Sequence, residues 1–239
     1  MSYKTVQRRL NEQGVISVKP VSKPSLTAAM RRKHLKWAKQ HQTWTVEDWC
    51  KVCFSDESSF QCEVAYTPRV WHQRGRPIPS RPTVKFPTKV MVWSVMSYKG
   101  AGRLHVVENT MNSDQYIKVL SARMIPQARE WFPGDYVFMQ DGAPCHTSRK
   151  SMKYLADNHV TVLPWPGNSP DLNPIETLWA IVKRRLRKQT ITTQQAIITS
   201  LISAWCRDAS IADTCRKLVE SMPQRVRAVI AAKGGNTTY

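Results

Sequence analysis

Three acidic residues stand where carboxylates can act together. Asp56 in CFSDES and Asp141 in FMQDGA each follow a short apolar run that reads as a strand ending at the acid. Glu176, in SPDLNPIETLWAIVKRRL, falls on the first turn of an amphipathic helix. Neighbouring parallel strands of an α/β sheet present their C-terminal ends along one edge, so Asp56 and Asp141 are expected side by side. Carboxylates that close repel one another, and one keeps its proton unless a cation lies between them. A hard divalent ion supplies that cation. Mg²⁺ takes one or two protein carboxylates and completes its shell with water and phosphate oxygens. Two such ions about 3.5–4 Å apart clamp the attacking and leaving oxygens of an in-line phosphoryl displacement. That chemistry needs no covalent enzyme intermediate, and no Ser or Cys here is paired with a His in a nucleophile's pattern.

Each residue also has a structural reading. Asp141 before Gly142 is an ordinary turn pair, and Asp56 before Glu57 and Ser58 can cap a turn. Glu57 is an alternative ligand beside Asp56. Asn173, Pro174 and Glu176 fit the N-cap, N1 and N3 positions of a capping box, a duty that competes with metal binding. His146, five residues past Asp141, is read either as a group that positions DNA or as a surface-loop histidine. Cys50 and Cys53 form C-x-x-C, but no second ligand pair lies nearby, so the structural reading is preferred.

The elements that must position these groups follow from periodicity. TVQRRLNEQG (residues 5–14) is a basic amphipathic helix carrying Arg8 and Arg9, with Val6 and Leu10 on one face and Gly14 as its stop. It is too short to stand alone, so it either packs on the main domain or closes a helix-turn-helix. VISVKPVSKPSL reads as a linker, and the helix after it is capped by Thr27. Strand patterns fill 49–107, with KVMVWSVMSYKG as a near-continuous apolar run and AGRLHVVEN as its hairpin partner. Beyond them come a helix capped by Ser113 and interrupted at Pro126, a strand into Asp141, a helix, the strand VTVLP, and the helix of Glu176. The order, antiparallel strands and then alternating helices and strands, predicts an α/β fold: a mixed sheet flanked by helices. The expected divisions are 1–14, a linker and helix over 15–48, a core over 49–192, and a helical extension over 193–239.

Charge narrows the partner. The chain has 36 Lys and Arg against 17 Asp and Glu, a formal +19 over 239 residues, which favours a polyanion and most simply nucleic acid. No apolar run is long enough for a transmembrane helix, and the N-terminus lacks a signal-peptide core. The six cysteines show no secreted framework, so nucleus and cytosol are both allowed.

FSDESSF, MQDGAPCHTS and LPWPGNSPDLNPIETLWAIVKRRL, in that order and with 34 residues between Asp141 and Glu176, resemble the mariner-type (Tc/mariner, Sleeping Beauty-like) cut-and-paste DNA transposases. The resemblance spans essentially the whole chain. It implies a ribonuclease-H-like fold, Asp56, Asp141 and Glu176 as catalytic metal ligands, and two Mg²⁺ or Mn²⁺ ions. The reaction it implies is hydrolysis at transposon ends followed by strand transfer into double-stranded target DNA, commonly at TA. It also implies a homodimer, because two ends must meet, and work in the nucleus.

DNA contacts are expected from Arg8, Arg9, His146, and Lys183, Arg184 and Arg185 of the KRRLRK run, which also suits nuclear import. Further contacts are expected from Arg69, Arg74, Arg76 and Arg81 with Trp71, in the segment where the family has a dimer and DNA loop. Two departures stand out. Ser94 occupies a position where relatives often have Gly, and only the tail of the family's paired-type DNA-binding region is present, as residues 1–14. Recognition of specific ends is therefore expected to be largely lost, with salt-sensitive affinity retained. Two other readings stay open: a different ribonuclease-H-like nuclease or integrase, and a domesticated or truncated transposase that binds DNA without full transposition activity.

Overall fold

A ten-residue strand, β1 (Val52–Gln61), organises the molecule. Its alternation is two-sided: Val52 and Phe54 point to one core and Cys53 to another, all fully buried. The next strand, β2 (Lys89–Ser97), does the same, with Val90, Val92 and Met96 on the first face and Trp93 and Val95 on the second. Burial on both faces explains the near-continuous apolar run in its sequence. The computed structural model describes residues 2–17, 25–61, 88–108, 110–189 and 191–239.

β1 and β2 pair antiparallel, with Asp56 opposite Ser94. The expected hairpin partner of β2 is split into β3 (Gly100–Ala101) and β4 (His105–Val107), both antiparallel to it. The split has a local cause. Gly102 turns its N–H onto Val95 O at 2.7 Å, while its carbonyl accepts from Ser94 Oγ at 3.3 Å and Trp205 Nε1 at 2.8 Å. On the other side of β1 lie β5 (Val137–Met139) and β6 (Thr161–Val162), both parallel. Among the described residues the order is β3-β2-β1-β5-β6, with β4 also on β2.

Helices cover both faces. On one side pack α4 (Ser113–Val119), α5 (Ile125–Trp131), the short α6 (Pro144–Thr147) and α7 (Arg149–Asp157). The other side is built by α2 (Ala28–Gln40), the short α3 (Val46–Cys50), and α8 (Pro174–Leu186) through α9 (Gln194–Ile202), α10 (Ser210–Glu220) and α11 (Met222–Ala231). Trp179 of α8 stacks on Trp205 with centroids 4.2 Å apart. Burial of large apolar side chains of this kind stabilises a fold by about 1.5–3 kcal/mol each.

Several expectations need correcting. β1 does not end at Asp56 but runs five residues past it. The cap of α4 is Asn112, not Ser113, in a capping box with Gln115. Pro126 does not interrupt the helix, because a π turn over Leu120–Met124 widens the ladder just before it. Thr27 does cap α2, its side chain accepting from Met30 N. The first helix, α1 (Tyr3–Glu12), buries none of its residues, so it does not pack on the main body. Residues 62–87, with Arg69, Trp71, Arg74, Arg76 and Arg81, lie outside the described residues, as does most of the expected linker.

Candidate active site

β1 continues past the end of its parallel neighbour: the β1–β5 ladder closes at Phe54 opposite Met139, so Asp56 stands beyond it at the sheet edge. Asp141 follows two residues after the end of β5. Glu176 lies in the first turn of α8, behind an Asn173 N-cap and Pro174 at N1. These three carboxylates line one pocket of about 270 Å³, with Trp165, Asn168 and Asn173 among its walls.

Glu176 makes no reciprocal capping-box bond. Asn173 Oδ1 accepts from Ile175 N at 3.4 Å instead, which leaves the Glu176 carboxylate exposed to the pocket. Asp56 and Glu176 are within hydrogen-bonding reach of one another. Burial, followed by the charges of Glu176 and Glu57, pushes the Asp56 carboxyl up to about 9.

Asp141 is in the opposite state. The His146 hydrogen bond, at 2.6 Å from Nδ1 to Oδ1, holds it below the usual carboxylate range, and Ala143 N–H adds a second bond at 3.0 Å. His146 is 3% exposed, so it is not a surface-loop histidine. It stacks near Tyr116, 4.1 Å between centroids, and its Nε2 lies 3.3 Å from Glu57 Oε1. That is an ion-pair distance with poor hydrogen-bond geometry, and neither buried atom has another partner. Burial alone would lower the imidazole, but Asp141 and Glu57 raise it to about 9. Glu57 points away from Asp56 because successive strand residues face opposite sides, so it does not line the pocket.

The pocket wall is loop 164–173, and α2 holds it. Trp37 Nε1 donates to Pro164 O at 2.6 Å, and His34 Nε2 meets Gly167 O at 2.8 Å and Ser169 Oγ at 2.9 Å. Composition alone offered no sign that these residues reach the site.

Among the described residues no three His, Cys, Asp or Glu side chains are gathered closely enough to hold a metal ion by themselves. An open, all-oxygen donor set is nonetheless what a hard divalent ion uses when water and phosphate fill its other positions. The nearby charge of Glu176 helps raise the Asp56 carboxyl, and a cation placed between the two would relieve that repulsion, so the residues present fit such an ion.

The basic residues divide. Arg185 pairs with Asp208 and donates to Ser210 Oγ, and Lys183 lies over the Phe60 ring, 5.5 Å from its centroid. Arg184 is exposed, as are Arg8 and Arg9, with Arg8 also 3.6 Å from Glu12. Cys53 is buried, with its thiol pushed up by desolvation, and Cys50 is half-buried, so the C-x-x-C pair is structural.

Residues 51–198 match the family described as DDE superfamily endonuclease, and residues 1–43 match a helix-turn-helix family described as Transposase. The chain belongs to the DDE superfamily endonucleases, among the Tc1/mariner-type transposases. It is 37% identical to the Tc1 transposase of Caenorhabditis elegans, over 100% of this chain and 88% of that one. It is 36% identical to the Tcb1 transposase of Caenorhabditis briggsae with the same coverage. This transposase also shares its fold with the Mos1 mariner paired-end complex with Mn, at a TM-score of 0.85 and 19% identity over 99% of this chain and 72% of that chain. The Mos1 catalytic domain alone gives 0.71 over 90% of this chain and 99% of that chain, at 16% identity. The expected ribonuclease-H-like fold and membership of the cut-and-paste DNA transposases are thereby borne out.

Proposed function

We propose that Asp56, Asp141 and Glu176 together hold two divalent ions, Mg²⁺ or Mn²⁺, with which this transposase cleaves transposon ends and joins them to target DNA. The carrying observation is the convergence of the Asp56, Asp141 and Glu176 side chains on one pocket, with Asp56 and Glu176 in hydrogen-bonding reach. Bound there, the ions would supply Lewis acidity to activate a water or a DNA 3′-hydroxyl and to offset charge on the departing oxygen. The chain's own groups do the rest. Asp56 and Glu176 would hold a cation between them, His146 fixes the Asp141 carboxylate, and loop 164–173 shapes the space for the scissile phosphate.

Solved complexes of Mos1 support the wider reading, since they include paired ends, a strand-transfer complex, and forms with Mn and with Mg. By analogy this transposase acts on double-stranded DNA as a homodimer, inserts at TA, and works in the nucleus. Arg8, Arg9 and Arg184 are exposed and are assigned contacts to phosphate. Arg69, Arg74 and Arg76 are assigned the same duty from sequence alone.

The test is nicking of supercoiled DNA in Mn²⁺ by the whole chain, beside Asp141→Ala. Cleavage lost only in the variant supports the assignment. DNA binding without cleavage by either protein favours a transposase-derived binder.

A further inference from the structure

Arg225 sits on the wrong face of α11. Its helical neighbours Met222, Val226 and Val229 are core residues, and Arg225 itself is 1% exposed. A guanidinium withdrawn from water is tolerated only when its N–H groups find acceptors. Here Nη1 donates to Asp171 O at 2.7 Å, Nη2 to Thr177 Oγ1 at 3.0 Å, and Nε to Ser221 Oγ at 3.0 Å. The Tyr239 ring covers it, 4.8 Å from Cζ to the centroid. Burial pulls it down to about 10, with Tyr239 and Asp171 opposing, which leaves it charged at neutral pH.

The acceptors belong to different pieces of the molecule. Ser221 precedes α11, Asp171 lies in the loop that walls the pocket, and Thr177 is the residue after Glu176. The Asp171 carboxylate is separately engaged, its Oδ2 accepting from Thr237 N at 3.1 Å and Thr237 Oγ1 at 2.8 Å. That segment is seated on α2 by Gly234, whose φ is +79° and where a Cβ would come 2.0 Å from Arg31 O.

Other ties at the start of α8 are long. The Asn173 cap reaches Ile175 N at 3.4 Å, and Asn173 Nδ2 reaches Ser55 O at 3.4 Å. Hydrogen bonds from a charged donor are shorter and roughly twice as strong as neutral ones, so the guanidinium is the firmest of these connections.

Building on the metal-site reading above, we propose that Arg225 is a positioning residue for Glu176. It locks the first turn of α8 to the pocket loop so that the Glu176 carboxylate meets Asp56. It touches neither DNA nor the reacting atoms.

The test uses the full chain and four variants: Arg225→Gln, Thr177→Val, Val229→Ala and Glu176→Gln. Mn²⁺ binding is followed by electron paramagnetic resonance, cleavage by single turnover at saturating DNA, and DNA affinity without metal. Arg225→Gln should weaken Mn²⁺ binding about tenfold or more and slow cleavage comparably, at unchanged metal-free DNA affinity. Thr177→Val should move both readouts the same way by less. Val229→Ala removes packing on the same helix and should lower stability without moving either.

Folded Arg225→Gln with parental Mn²⁺ affinity overturns the proposal, and so does an equal loss in Val229→Ala. Should Arg225→Gln fail to fold, Thr177→Val decides. Parental Mn²⁺ binding in Glu176→Gln instead overturns the metal reading on which the proposal rests. Loss in Glu176→Gln but not in Arg225→Gln rejects the positioning role alone.

Discussion

His146 joins two carboxylates of unlike duty: Nδ1 is 2.6 Å from Asp141 Oδ1, and Nε2 is 3.3 Å from Glu57 Oε1. The imidazole therefore links the pocket to the core face of β1. Asp141, half-exposed at a loop, owes its orientation to this buried ring and to Ala143 N–H. Groups that orient a metal-binding carboxylate are typically worth 10–100-fold in affinity or activity. His146→Ala is expected to slow metal-dependent cleavage by about that factor while leaving DNA affinity intact. Unaltered cleavage by a folded His146→Ala would show that Asp141 needs no such support.

Carboxylates gathered for a cation repel without it. Millimolar Mg²⁺ or Mn²⁺ should raise the melting temperature of the parent chain, by about 2.7 kcal/mol of added stability at a hundredfold excess over Kd. The triple variant Asp56→Ala, Asp141→Ala, Glu176→Ala should show no shift. An equal shift in both proteins would place the stabilising ion elsewhere.

Gly102 is predicted to be intolerant of any side chain. A Cβ there would lie 2.7 Å from Val95 Cγ1 and 2.8 Å from Val95 O, and the second of these is backbone that cannot swing away. Overpacking of this kind costs about 1–3 kcal/mol. Gly102→Ala should lower the urea midpoint accordingly, and a parental midpoint would contradict the packing described.

How much of this was legible beforehand depended on range. Asp141 and Glu176 were readable because local periodicity reveals the strand end and helix start beside them, and Asp56 because it follows the apolar run Val52–Phe54, although β1 continues to Gln61. The β2 run was readable because burial on both faces leaves no polar positions. His146 was misread because nothing local shows Glu57 and Tyr116 closing over it. Arg225 was missed as one more cation in a basic chain, although Met222, Val226 and Val229 put it on an apolar helical face, a signal that spacing does carry. The splitting of β3 from β4 depends on Trp205, a hundred residues away in sequence, and no local pattern encodes it.

His41 gives a stability dependence on pH. It is buried against Trp37, with ring centroids 4.2 Å apart, and desolvation lowers its pKa from 6.5 despite the Trp37 carbonyl it donates to. A histidine lowered in the fold binds more protons when unfolded, so its contribution is intact above about 6.5 and is lost as pH falls below that value. The parent should therefore lose more melting temperature between pH 7.5 and 5 than His41→Phe, which keeps the stack and cannot titrate. Identical slopes would contradict the assignment.

The most direct measurement is Mn²⁺-dependent cleavage of DNA by the full chain, with Asp141→Ala assayed alongside at matched DNA binding. Cleavage by the parent and none by the variant is the predicted result. Equal cleavage by both would contradict the assignment of the pocket between Asp56, Asp141 and Glu176 as the catalytic centre.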